Sequence, residues 1–153
     1  MTCRHLLTAL LALGLAAAWP VPSDAATVTK SVDLELGTWL DLDAKDGEVT
    51  VHRVRLVEVT GTITKSDLTR PSGAEYLKTV QFQIEYSNPT TRDWEVRVRI
   101  EWLDADGVAI DGYRGDEDLD KREDHDVQTI TISTLRYGLA KAKTLEVNID
   151  FGP

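Results

Sequence analysis

The sequence predicts an all-β fold, an antiparallel two-layer sandwich of about seven strands, and three observations predict it. Val80, Phe82, Ile84 and Tyr86 alternate with Gln81, Gln83 and Glu85. Trp94, Val96, Val98, Ile100 and Trp102 alternate with Glu95, Arg97, Arg99 and Glu101. Successive side chains of a strand point to opposite faces, so each run reads as a strand with one apolar and one wet side. Third, turn residues separate most of the apolar runs, and no long stretch shows helical periodicity. A closed barrel is the alternative closure.

The elements follow in order. Arg4 and His5 precede the apolar run LLTALLALGLAAAW, and Pro20, Pro22 and Ser23-Asp24-Ala25 follow it. The run is too short for a spanning helix. A basic start, an apolar middle and a small-x-small end read as a secretory signal over residues 1–25, cleaved after Ala25. Residues 26–153 are then a single domain, large enough to bury its own core. Ser31 to Leu36 and Thr38 to Asp43 alternate as short strands, with Trp39 out of phase with Leu40 and Leu42. Asp46-Gly47 is a turn pair, because glycine accepts the positive φ of tight hairpins.

Glu48 to Thr60 changes phase. Val49 and Val51 share one parity, Val54 and Leu56 the other, and Val57 and Val59 return to the first. A bulge near His52-Arg53, or burial on both faces, reconciles this with a strand. Lys65 to Glu75 is polar, with Pro71 and Gly73, and reads as a surface connection. The two alternating runs come next, joined by Ser87-Asn88-Pro89-Thr90-Thr91, and are most simply an antiparallel hairpin. Asp104 to Gly107 is a hairpin turn and Val108 to Ile110 a short continuation. Residues 111–126 carry eight acids against Arg114, Lys121 and Arg122, an exposed acidic loop by composition. Val127 to Ser133 re-enters the core, Leu135 to Lys143 is a loop or one helical turn, and Leu145 to Phe151 is the last strand.

Within this stretch, Tyr86-Ser87-Asn88-Pro89-Thr90 followed by Val96 to Gly107 resembles the core of small bacterial envelope proteins, the FxLyD-type domains and the periplasmic lipoproteins called YcfL. The resemblance covers residues 78–110. It implies an immunoglobulin-like sandwich and an accessory role in the envelope, and it supplies no catalytic residues. The chain departs from the pattern in lacking a lipid-accepting cysteine after the apolar run and in carrying the acidic segment.

The formal charge is −9, and Cys3, the one cysteine, lies within the signal segment. Removing Arg4 and Asp24 with the signal leaves that charge unchanged. An acidic domain repels phosphate backbones and anionic lipid, so nucleic-acid binding and a membrane anchor are disfavoured. A cysteine-free exported chain relies on packing, as bacterial periplasmic proteins do. The expected location is therefore periplasmic or secreted.

Three chemistries compete with a plain interaction module. Asp116, Asp118 and Asp120, with Glu117, Asp124 and Asp126 nearby, can offer the oxygen ligands calcium prefers, although the spacing fits no EF-hand. The alternative for these acids is a solvated loop, with no cofactor. Trp39 and Trp94 can stack on a sugar if both lie exposed on one flat face, which would make a glycan the partner in place of another envelope protein. Enzyme chemistry would draw on His52 or His125, but neither stands near a recognisable nucleophile motif, and GxSxG, HExxH, GxGxxG and Walker loops are all missing. The expectation is a non-enzymatic binding or accessory module of a bacterial envelope.

Overall fold

A computed structural model of the chain describes residues 26–59 and 76–151. The signal segment with Cys3 and its cleavage point, and the connection from Lys65 to Glu75, lie outside the described residues. Eight strands occur among the described residues: β1 (Thr27–Asp33), β2 (Leu40–Asp46), β3 (Val49–Glu58), β4 (Leu77–Asn88), β5 (Trp94–Leu103), β6 (Ala109–Leu119), β7 (Glu123–Leu135) and β8 (Thr144–Asp150). One short helix, α1 (Arg136–Lys141), links β7 to β8. The strands form two antiparallel sheets, ordered β1-β8-β5-β6 and β2-β3-β4-β7. The apolar parities of both sheets face each other. Val96, Val98, Ile100, Trp102, Val147 and Ile149 of the first meet Val51, Val54, Leu56, Val80, Phe82 and Ile84 of the second, all at most 1% exposed. Burying these side chains is the main favourable term holding the layers together.

The expected hairpin of β4 and β5 does not form. Each run is a strand with its predicted inner face, but β4 pairs with β3 and β7, whereas β5 pairs with β6 and β8. Alternation dictates which side chains face the core and is silent on the neighbour. Asn88 makes the connection an arch between layers. It is fully buried, its Nδ2 donates to the Arg92 and Leu119 carbonyls at 3.0 and 2.9 Å, and its Oδ1 accepts from Thr90 N and Oγ1 at 3.1 and 2.7 Å. Beside it the Tyr86 hydroxyl accepts the Asp120 N–H at 3.0 Å and donates to Asp126 at 3.2 Å, and burial pushes its pKa up to about 12. The arched strands β4 and β5 pair with the consecutive strands β7 and β8, as the B–C and E–F strands of immunoglobulin sandwiches do. Beside β8, β1 fills the place of the closing strand.

The acidic loop expected over 111–126 is instead strand, turn and strand, and this accounts for an eighth full strand. Tyr113, Gly115 and Glu117 stand opposite Ile100, Val98 and Val96, while the exposed Arg114, Asp116 and Asp118 point outward. The inward positions of this edge strand are too polar to announce a period of two. Tyr113 lies across Gly115, where a Cβ would meet its hydroxyl at 2.1 Å, and donates to Glu117 at 2.6 Å. Only Asp120 to Arg122 turn between β6 and β7, with Arg122 at φ 61°. The bulge near His52 forms as expected, as a register shift between Val51 and Arg53. Gly47 and Gly107 hold their turns at φ 58° and 77°.

Free sheet edges invite pairing with other chains, and all four edges here carry a block. On β1, Lys30 shares the inward parity of Val28 and Val32, and its ammonium donates to the Asp41 carbonyl of β2. β2 is interrupted between Asp41 and Ala44, with Asp43 at φ 51°. β6 presents Asp116 and Asp118. β7 is covered by β6, where Asp111 accepts from Thr134 Oγ1 at 2.6 Å and Glu117 accepts from Gln128 at 3.2 Å.

Candidate functional site

The densest polar constellation lies on the outer face of the β2-β3-β4-β7 sheet, and two bulges build it. Val51 and Arg53 oppose Tyr86 and Glu85, which leaves His52 as the extra residue of β3. On the other side of β4 the register shifts between Tyr86 and Asn88, and His125 of β7 takes φ 54°. A bulge re-aims its side chain, and these two aim at one another from opposite sides of the central strand. The imidazole rings stack with centroids 4.3 Å apart and planes inclined by 12°.

Hydrogen bonding below the stack assigns its protons. Ser87 Oγ lies 2.8 Å from His52 Nε2, 2.9 Å from Asp124 Oδ1 and 3.1 Å from the His125 backbone nitrogen. The amide can only donate, the carboxylate can only accept, and a hydroxyl has one proton. Ser87 therefore donates to Asp124, and His52 Nε2 carries a hydrogen pointed at the serine. In that arrangement the His52 ring is not a base for the serine, since it donates to the hydroxyl. His125 Nδ1 stands 3.0 Å from Glu85 Oε1, and Arg53 Nε and Nη2 grip Glu85 Oε2 at 2.8 and 2.7 Å. The hydrogen bond from His125 and then that from Arg53 hold the Glu85 carboxyl below its usual range. Covered from both flanking strands, Glu85 is only 7% exposed although it points away from the core.

The site continues along β3. Arg53 and Arg55 place their guanidinium carbons 4.8 and 4.3 Å from the Trp39 ring centroid. Arg55 Nε also donates to Gln83 Oε1 at 2.6 Å. Of the two tryptophans singled out from the sequence, Trp39 therefore belongs to this face, half-buried, with arginines on its π surface. Trp94 opens β5 in the other sheet, packs against the core, and has Arg92 4.8 Å from its ring. The two do not share a face. Asp116 and Asp118 point outward from β6, where Asp116 pairs with Arg97 at 3.1 Å and Asp118 stands opposite Glu95. Asp120 is in the turn. Among the described residues no three His, Cys, Asp or Glu side chains are gathered where they could hold a metal.

On the opposite sheet a shallow depression lies over Gly112, flanked by Arg99, Glu101 and Arg114. The glycine is required because a Cβ would fall 2.2 Å from the Ile100 carbonyl oxygen. Arg99 is spent on Glu101 at 2.8 Å, which raises its pKa. Glu85, Ser87 and Arg55 carry no signal in the sequence. The phase change at His52 marks one bulge, but nothing local marks its counterpart at His125.

No family model and no curated protein matches the chain. Among solved structures it has a coarse likeness to the crystal structure of a DUF1425 family member from Shewanella sp. pv-4. The two are 14% identical over 74% of this chain and 94% of that one, with a TM-score of 0.35.

Proposed function

We propose that the protein is an exported, non-catalytic binding module of a bacterial cell envelope that presents the outer face of β2-β3-β4-β7 to its partner. The observation that carries this is the commitment of the Ser87 proton to Asp124, with His52 donating to the serine. It makes the polar constellation a fixed framework on an open sheet. The blocked edges argue against strand addition as the binding mode and leave the faces. Export rests on the signal-like residues 1–25, and the envelope role on the resemblance of residues 78–110 to FxLyD-type and YcfL proteins.

Matched substitutions on the two sheets test the assignment. Thr131→Arg places a long cation on the outward side of β7, at one edge of the proposed face, and Thr29→Arg does the same on β1, at an edge of the other sheet. The full chain, expressed with its own N-terminus, is expected in the periplasmic or secreted fraction beginning at Ala26. Capture of its envelope partner should be lost in Thr131→Arg and kept in Thr29→Arg. Ester or amide hydrolysis that disappears in Ser87→Ala would overturn the non-catalytic assignment, and retention of the signal would overturn export.

A further inference from the structure

The geometry points to Arg55, stacked against Trp39 and tied to Gln83, as the anchor of a site for a carboxylate-bearing glycan. This rests on reading the same sheet face as a binding face. Arg53 next to it is neutralised by Glu85, but no acid lies within ion-pair distance of Arg55 among the described residues. Its guanidinium is nonetheless held, with Nε on the Gln83 carbonyl and its central carbon over the Trp39 ring. That leaves the terminal nitrogens as a prepared fork, the arrangement that suits carboxylate, and most of the ordering entropy is spent before a ligand arrives.

The surroundings narrow the ligand. Beside Arg55 the rows across the sheet run through Gln83 and Thr129, then Val57, Gln81 and Thr131. All of these side chains are uncharged, and all but Val57 can hydrogen-bond, which suits hydroxyl groups spaced along a chain. Apart from Glu85, the acids of this face lie on β2, as Asp41 and Asp43, and at the β7 tip, as Glu123 and Asp124. The opposite sheet surrounds its arginines with Glu95, Glu101, Asp116, Asp118, Glu146 and Asp150, and would repel the same ligand. In a chain of charge −9, Arg55 is thus a local cationic spot on a neutral shelf. A uronate-type sugar offers both halves of the match, a carboxylate for the fork and hydroxyls for the Gln and Thr rows.

The test is a titration of the full, exported chain with a short oligogalacturonate, followed by NMR of the indole N–H resonances. Its methyl-ester, poly-glutamate and inorganic phosphate serve as comparison ligands. The expected result is a shift of the Trp39 signal, weakened about tenfold or more in Arg55→Gln, weakened in Arg55→Lys, and unchanged in Arg97→Gln on the other sheet. The methyl-ester should bind poorly. No shift at millimolar sugar, equal binding by Arg55→Gln, or equal binding of the methyl-ester, poly-glutamate or phosphate overturns the proposal. The Thr131→Arg and Thr29→Arg comparison reports on the binding face whatever the sugar does, so the two failures are distinguishable.

Discussion

Asn88→Asp exchanges one NH2 for one oxygen in the interior of the arch, and its effect should depend on pH with a definite sign. The native amide donates to the Arg92 and Leu119 carbonyls and accepts twice from Thr90. An aspartate keeps the two acceptor contacts and turns an oxygen toward two carbonyl oxygens at 3.0 and 2.9 Å. Two hydrogen bonds at about 1 kcal/mol each, plus about 1–3 kcal/mol for the Leu119 carbonyl left without a partner, give a loss of about 3–5 kcal/mol at pH 7. That is a large share of a domain's net stability. Burial and the two carbonyls disfavour the charged form, so the folded-state pKa of this aspartate must lie above its unfolded value of roughly 3.9. Above that value the folded variant binds more protons than the unfolded chain, and its stability falls as pH rises. Acidification should therefore narrow the gap to wild type, whereas Asn88→Ala, which has nothing to titrate, should keep its deficit. Urea unfolding monitored by tryptophan fluorescence at pH 7 and near pH 4.5, each variant against wild type at the same pH, measures both. A variant within about 1 kcal/mol of wild type at pH 7, a margin comparable to one hydrogen bond, would refute the role given to Asn88.

Glu85→Gln should cost about 1–2 kcal/mol at pH 7, because its partners are half-exposed and solvent screens them. Glu85 is held below its ordinary value of 4.5, so its stabilisation is complete above that value and is lost as pH falls through the folded-state value. The difference between wild type and variant should shrink on acidification in chemical unfolding, and a constant gap would contradict the pairing. Trp102→Ala should cost about 3–5 kcal/mol. Trp102→Phe should cost well under half as much, because the buried indole N–H has no hydrogen-bond partner to lose among the described residues; equal costs in thermal unfolding would count against this. Millimolar calcium should leave the melting temperature unchanged, since Asp116 is paired with Arg97 and Asp118 faces Glu95. A calcium-dependent rise would revive the metal site.

The apolar periods of β4, β5 and β8 are legible because these strands have neighbours on both sides and inner faces fully committed to the core. β6 is not legible for the converse reason. At a sheet edge its inward positions tolerate Tyr113, Gly115 and Glu117, and the acids between them read as loop. The phase change in Glu48 to Thr60 located one bulge, since a strand that must keep apolar residues inward needs an extra residue to shift parity. His125 left no such mark, because β7 near its tip has no apolar residues whose phase could slip. Pairing escaped for another reason: β4 and β5 are equally good partners in a hairpin or across an arch. What decides between them is Asn88, whose four hydrogen bonds hold the arch and, through the Leu119 carbonyl, tie it to β6, and which cannot be inferred from a turn composition.

The two bulges also explain why the constellation is one object. Each removes ladder hydrogen bonds beside β4 and leaves a histidine without a cross-strand partner. Alone, either would be a defect of one strand, but the Ser87 hydroxyl accepts from the amide of one histidine and the ring of the other. Glu85 then ties the second ring to Arg53 on the opposite strand. Loosening β7 at its tip thus loosens β3 at Arg53, and Arg53 shares the Trp39 ring with Arg55. The histidine stack is in this sense the support of the Arg55 shelf. A substitution at His125 should therefore be felt at Trp39, a residue it does not touch.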